Sequence, residues 1–256
     1  METELFNLNA YFERIHYRGE NKVSAETLKQ LHIAHVMNVP FENLDVFHKK
    51  SISLEVEDLF QKIVVNHRGG YCFEMNGLFA AVLEKMGFKV KKHLARVWNN
   101  GFENSGKTHK VLLVEADEQI WLCDVGFGGN GLVEPILFKD GLVQEHYLRT
   151  HRIKTDVKYG YLLEFKINDN FIPIYAFTLE ECCPADYLIA NHYTATHPAS
   201  FFTQVMMCSL VTEEGRITYL DGVLKIVTKD SSEEKVIDNR DEIQMVLAKY
   251  FGLLAN

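Results

Sequence analysis

Cys72, His109 and Asp124 are the residues of this 256-residue chain whose types and surroundings suit covalent acyl chemistry. Cys72 follows the pair Gly69-Gly70 and precedes a run, 78–86, in which Phe79, Val82, Leu83 and Met86 recur on one helical face before Gly87 stops it. This spacing puts Cys72 in the first turn of a helix, where backbone N–H groups without helical partners and the positive end of the macrodipole favour thiolate over thiol. The thiolate is the nucleophilic form. The same N–H groups can stabilise an oxyanion, and two glycines permit a turn tight enough to present the sulfur to a cleft. A buried structural cysteine fits the same local pattern, so position alone leaves both readings open.

Residues 108–114 read as a strand and 120–125 as its antiparallel partner, joined by a turn near Asp117-Glu118. With the turn centred between 117 and 118, His109 opposes Gly126, and Asp124 is its diagonal neighbour on the same face, within side-chain reach. A three-residue loop would shift the register by one and throw Asp124 to the other face. A carboxylate beside an imidazole fixes its tautomer and stabilises the imidazolium, which holds a nearby thiolate and later shuttles protons. The structural alternatives are a satisfied strand histidine and a turn-forming aspartate.

Other candidates carry less. His32 and His35 are three apart on a helix, a spacing compatible with metal binding, but no carboxylate or cysteine completes a ligand set, and no metal is expected. His192 and His197 fall in a loop-like stretch. The glycine-rich run 126–131 has room for a ligand phosphate, although glycine-rich turns alone are weak signals.

These residues need elements to position them. Ser24 reads as the N-cap of a helix carrying Leu28, Leu31, His32, His35 and Val36, which Pro40 ends. A further helical segment covers 56–65. From about Val90 to Thr178 the texture changes to runs of Val, Ile, Leu, Phe and Tyr, with turns at Asn99-Asn100-Gly101, Asp140-Gly141 and Asn168-Asp169-Asn170. Such a pattern predicts a sheet or barrel. Beyond Asn191, strands are expected at 216–219 and 223–228, followed by an amphipathic helix over 241–251 that stops at Gly252.

Composition excludes several classes. With 27 basic against 35 acidic residues, the formal charge of -8 repels phosphate backbones, so nucleic acid is a poor partner. Five cysteines, at 72, 123, 182, 183 and 208, leave one over, form no CxxC pair and fit thiols in a reducing compartment. Met1-Glu2-Thr3-Glu4 lacks the basic start of a signal peptide, and no apolar run reaches the roughly 18 residues of a membrane span. A cytoplasmic protein without a membrane partner is expected.

The motifs Pro40-Phe41-Glu42-Asn43-Leu44, Arg68-Gly69-Gly70-Tyr71-Cys72-Phe73-Glu74-Met75-Asn76, Thr108-His109, Asp124-Val125-Gly126-Phe127-Gly128, Asn191 through Phe201 with Thr196-His197-Pro198, and Cys208-Ser209-Leu210-Val211-Thr212 occur in this order. Together they resemble the arylamine N-acetyltransferase family. The resemblance implies an α+β fold with a cysteine-protease-like core: a helical bundle over 1–90 carrying the cysteine, a central β-barrel over 91–200 carrying histidine and aspartate, and an α/β lid over 201–256. It implies transfer of acetyl from acetyl-CoA to arylamines, arylhydroxylamines or hydrazines, in xenobiotic metabolism, by a ping-pong route through an acetyl-cysteine.

Carried over by motif, Cys72 is the acyl carrier, His109 the base and Asp124 its orienter. The resemblance further makes Glu42 and Arg68 a buried ion pair, lines the amine pocket with Phe41, Val97 and Phe127, and assigns coenzyme A contacts to Ser105, Gly106 and Thr212. It leaves the nucleotide end of the coenzyme unplaced and the choice between monomer and homodimer open. The rival reading is a cysteine hydrolase or amidase with the same triad, in which water rather than an amine accepts the acyl group.

Overall fold

A computed structural model describes residues 6–146 and 149–253; the Met1-Glu2-Thr3-Glu4 segment lies outside the described residues. The N-terminal part is helical: α1 (Leu8–Arg14), α2 (Ala25–Asn38), a two-residue strand β1 (Phe41–Glu42), α3 (Leu44–Phe47), α4 (Val56–Phe60) continuing into a π-helical turn at Gln61–Val65, and α5 (Cys72–Lys85). Ser24 caps α2, its hydroxyl accepting the Thr27 N–H at 3.2 Å, and Val39 before Pro40 adopts extended backbone, as a residue preceding proline must. Most of α5 is buried. Phe73, Leu78, Phe79, Val82 and Leu83 have no exposed surface, and each contributes about 1.5–3 kcal/mol of burial free energy.

Eight strands follow α5: β2 (Lys89–Val97), β3 (Lys107–Ala116), β4 (Gln119–Cys123), β5 (Ile136–Leu137), β6 (Val143–His146), β7 (Arg149–Asp156), β8 (Gly160–Ile167) and β9 (Asn170–Phe177). They form one sheet in the order β5-β4-β3-β2-β9-β8-β7-β6. The sheet curls into a nearly closed barrel. Its outermost strands are joined by the Gln144 side chain, which accepts the Leu137 N–H at 2.7 Å and donates to the Leu137 carbonyl at 3.0 Å. An amide that mimics a peptide group thus satisfies edge groups otherwise left unpaired. Ala95, Val111, Leu122, Ile153, Leu163, Tyr175 and Phe177 fill the interior.

The chain then forms α6 (Pro184–Thr196), α7 (Phe201–Gln204), β10 (Met207–Thr212), β11 (Gly215–Leu220), β12 (Val223–Thr228), β13 (Ser232–Val236) and α8 (Arg240–Phe251). Val246, Leu247 and Phe251 of α8 pack on Cys208, Tyr219 and Leu224 of the second sheet, and Gly252 ends the helix in the left-handed conformation.

Two features depart from the sequence reading. The segment carrying His192 is helix α6, not loop: Pro184 opens it, and the Asp186 carboxylate accepts the Cys183 N–H at 2.7 Å, a start signal masked by the polar residues that follow. The second sheet has the order β1-β10-β11-β12-β13, so a strand from the helical N-terminal part completes a C-terminal sheet, with Phe41 opposite Ser209 and Glu42 opposite Cys208. A two-residue strand after proline carries no periodic signal.

Candidate active site

Cys72 is the first residue of α5. Its approach is shaped by contacts that admit no side chain. A Cβ on Gly69 would lie 1.9 Å from the Pro40 carbonyl oxygen, and one on Gly126 would lie 2.7 Å from the Cys72 Cα. Bare backbone at these positions lets the chain before α5 pass β1 and lets the turn after β4 press on the cysteine. The Cys72 Sγ sits 3.8 Å from the Thr108 carbonyl oxygen.

The β3–β4 hairpin turns at Asp117-Glu118, both with positive φ, and pairs Leu112 with Cys123 and Ala116 with Gln119. This is the two-residue register that the spacing predicts, and it brings Asp124 diagonally onto His109. The His109 Nε2 lies 2.7 Å from the Asp124 Oδ2, with both residues buried. Cys72 lies close enough to His109 to act on its charge, and both line the same cavity. Burial pushes the imidazolium towards losing its proton, but the Asp124 carboxylate and the Cys72 sulfur outweigh it and raise the His109 pKa to about 10. Burial likewise disfavours the Asp124 anion, yet His109, Asn76 and the Gly126 N–H hold its pKa below the usual value.

The hydrogen bonds around Asp124 include groups that the sequence reading did not assign. Asn76, one turn beyond Cys72 on α5, donates to the Asp124 Oδ1 at 2.8 Å and to the Lys110 carbonyl at 2.7 Å, while its own oxygen accepts the Val125 N–H at 2.9 Å. A single buried amide therefore ties helix, strand and turn together. His32, weighed above only as half of a metal pair, instead accepts the Asp124 N–H on Nε2 at 3.1 Å and donates from Nδ1 to the Val133 carbonyl at 2.9 Å. Burial drives its pKa down to about 4, so it works as a neutral ring with one donor and one acceptor. Its helical neighbour His35 meets the Tyr11 hydroxyl at 2.7 Å. Among the described residues no group of three or more His, Cys, Asp or Glu side chains is placed to hold a metal ion. Asn76 closes the motif around Cys72, and its spacing of four from Cys72 puts both on one face of α5.

A cavity of about 450 Å³ opens beside Cys72 and His109, and Phe41, Val97, Phe127, Ser105 and Gly106 line it as well. Thr212 is not among the lining residues; it ends β10, where its hydroxyl accepts the Gly215 N–H at 3.1 Å. The His109 ring is flanked by Phe127, edge-on at 5.2 Å, and Tyr175 at 5.1 Å. Phe202 of α7 joins the wall, 6.0 Å from Phe41 and 5.9 Å from Tyr71. Aromatic walls of this kind suit a flat apolar ligand.

The loop before Cys72 is held by charge. Arg68 donates to the Glu42 Oε1 at 2.7 and 3.0 Å and reaches Asp45 at 3.3 Å. Lys62 bridges Asp45 and Glu74 at 2.7 Å each. Glu42 has no exposed surface and also accepts the Leu44 N–H at 2.7 Å, so the buried carboxylate has the multiple donors it requires.

A family model described as N-acetyltransferase matches residues 24–256. The arylamine N-acetyltransferase of Escherichia coli K12 is 38% identical over 249 residues, covering 96% of this chain and 88% of that protein. The Salmonella typhimurium protein named arylamine N-acetyltransferase / N-hydroxyarylamine O-acetyltransferase is 31% identical, covering 97% and 89%. The structure of the Salmonella typhimurium arylamine N-acetyltransferase superimposes with a TM-score of 0.92 at 30% identity over 99% of this chain and 92% of that one. That of the Mycobacterium marinum arylamine N-acetyltransferase in complex with CoA does so at 0.91 and 29%, over 96% and 92%. With the motif residues gathered on one buried site and the match running through nearly the whole chain, the protein belongs to the arylamine N-acetyltransferase family of acetyl-transferring enzymes.

Proposed function

We propose that the protein transfers acetyl from acetyl-CoA to arylamines, arylhydroxylamines or hydrazines by a ping-pong route through an acetyl group on Cys72. The observation that carries this reading is His109, hydrogen-bonded to a buried carboxylate and sharing with Cys72 the wall of one aromatic-lined cavity.

His109 and Cys72 form an imidazolium–thiolate pair, with Asp124 keeping the ring charged and oriented. In the first half-reaction the thiolate attacks the thioester carbonyl. The new S–C bond forms as the carbonyl π-electrons move to oxygen, where first-turn N–H groups of α5 stabilise the charge. Collapse breaks the bond to the coenzyme sulfur, which leaves with the proton from His109. In the second half-reaction a neutral amine attacks the acetyl-cysteine, His109 takes the amine proton, and the Cys72 thiolate departs. Phe41, Val97 and Phe127 would hold the amine's ring, and Ser105 and Gly106 the pantetheine arm beside them. Thr212, which the resemblance also assigned to the coenzyme, would act from the second sheet.

The test is release of free coenzyme A with a panel of arylamines and hydrazines, together with mass spectrometry of the enzyme after acetyl-CoA alone. The expected result is one acetyl group on Cys72 in the absence of amine and stoichiometric N-acetyl product in its presence, both lost in Cys72→Ala with its melting temperature kept. Coenzyme release at equal rates with and without amine would favour the hydrolase alternative. Undiminished transfer by Cys72→Ala would refute the nucleophile.

A further inference from the structure

Lys110 is a buried cation outside the triad. It follows His109 on β3, so its side chain leaves the opposite face of the strand and enters the layer between β3, α5 and α6. The residue is 7% exposed. Its Nζ lies 4.8 Å from the centroid of the Tyr187 ring of α6, and a Cβ on Gly77 of α5 would be 3.4 Å from it. Among the described residues this Nζ forms no hydrogen bond and no ion pair. An ammonium taken out of water without a counterion is costly, and the face of one aromatic ring offsets only part of that cost.

The charges around Lys110 single out one counterion. On β2, Leu94 lies opposite Lys110, so Lys92 is its diagonal neighbour and repels it. Lys92 is itself paired with Glu84 of α5 at 2.8 Å, and Glu84 attracts Lys110 less than Cys72 does. On α6 the Tyr187 phenol stays neutral, because burial raises its pKa. Cys72 remains. It precedes Gly77 on α5 by five residues, or roughly 7.5 Å of helix axis. The two elements are fastened there: the Cys72 Sγ meets the Thr108 carbonyl oxygen at 3.8 Å, and Asn76 donates to the Lys110 carbonyl at 2.7 Å. Burial first and Lys92 next lower the Lys110 pKa to about 8, so the amine is charged at neutral pH and loses its charge just above it.

We propose that Lys110 is a positioning residue for Cys72: its ammonium, held between β3 and α5, is a second cation that stabilises the sulfur anion from behind the strand carrying His109. The proposal rests on the acyl-transfer reading above and adds a group that the triad does not contain. No bond forms or breaks at the amine. It acts through its field, which water and salt screen little in a buried layer. A cation whose burial works against stability thereby acquires a role in the chemistry.

The experiment follows alkylation of Cys72 by iodoacetamide, a neutral reagent, read on the Cys72 peptide by mass spectrometry from pH 6 to 10. At pH 6.5 Lys110→Met should react about fivefold more slowly or worse, the effect of removing one charge at this separation from a partly screened site. The deficit should shrink above about pH 8, where the parent loses the Lys110 proton, and vanish near pH 10. Lys110→Arg, charged throughout, should stay within about twofold of the parent at pH 6.5. Single-turnover acetylation by acetyl-CoA should slow in parallel in Lys110→Met, while its melting temperature equals or exceeds that of the parent, because an unpaired buried charge is gone. Equal alkylation rates at pH 6.5 in Lys110→Met and the parent would overturn the proposal. A deficit constant from pH 6 to 10, or one accompanied by a lower melting temperature, would overturn it too, since either marks a packing role. Should the parent acquire no acetyl group from acetyl-CoA, the acyl-transfer reading fails, while the alkylation profile still judges Lys110.

Discussion

Replacing Asp124 by Asn keeps the shape and most hydrogen bonds of the site but removes its buried negative charge. In the parent protein the carboxylate offsets the burial that would strip His109 of its proton, and the pair holds the imidazole pKa at about 10. Without it, burial prevails and the ring turns neutral, which removes the imidazolium on which the proposed mechanism depends. Acetyl transfer should fall on the order of 10⁴-fold, the size of effect found when a triad carboxylate becomes an amide. Stability should fall by roughly 3–5 kcal/mol, the range for breaking a buried ion pair one-sidedly.

The pH dependence has a definite sign. His109 is raised above its unfolded value, so its contribution is complete below about pH 6.5 and is lost as pH climbs towards 10. Asp124 is depressed, so its contribution is complete above about pH 4 and is lost below it. The stability gap between parent and Asp124→Asn should therefore be widest between about pH 4 and 6.5 and shrink at alkaline pH. Urea melts across pH measure the gap. A gap that stays constant from pH 5 to 10, with transfer within a few-fold of the parent, would refute the reasoning.

Further outcomes follow from the same contacts. Glu42→Gln leaves Arg68 short of its buried partner and should cost about 3–5 kcal/mol in urea unfolding, with less loss in Asp45→Asn because Asp45 is more exposed. His32→Leu strands the Asp124 N–H and the Val133 carbonyl, at about 1–3 kcal/mol for each buried group, and should lower kcat more than it changes KM for the amine. Gly126→Ala forces a methyl against the Cys72 Cα and should destabilise by about 1–3 kcal/mol. Slower alkylation of Cys72 in the folded variant is the accompanying readout.

Local chemistry was legible in the sequence. The helix that opens at Cys72 follows from a glycine pair and apolar spacing, and the β3–β4 register follows from a two-residue turn, since strand side chains alternate and a fixed turn sets every pairing after it. The barrel texture of 90–178 was readable for the same reason. None of those signals reaches across the chain. Asn76 and His32 meet Asp124 over separations of 48 and 92 residues, β1 joins a sheet more than 160 residues away, and Gln144 closes a barrel between strands that are not ladder partners.

Periodicity reports which face of an element is apolar, not which distant backbone will come to rest against it. Polar residues such as His32 and Asn76 look alike in sequence whether they face water or clamp a buried turn. The tertiary structure decides, because only there does burial remove water and oblige each N–H, carbonyl and charge to find a specific partner. The sequence alone thus determined a cysteine at a helix start and a histidine–aspartate diagonal on a hairpin. Only folding decided that they line one cavity and what clamps the aspartate there.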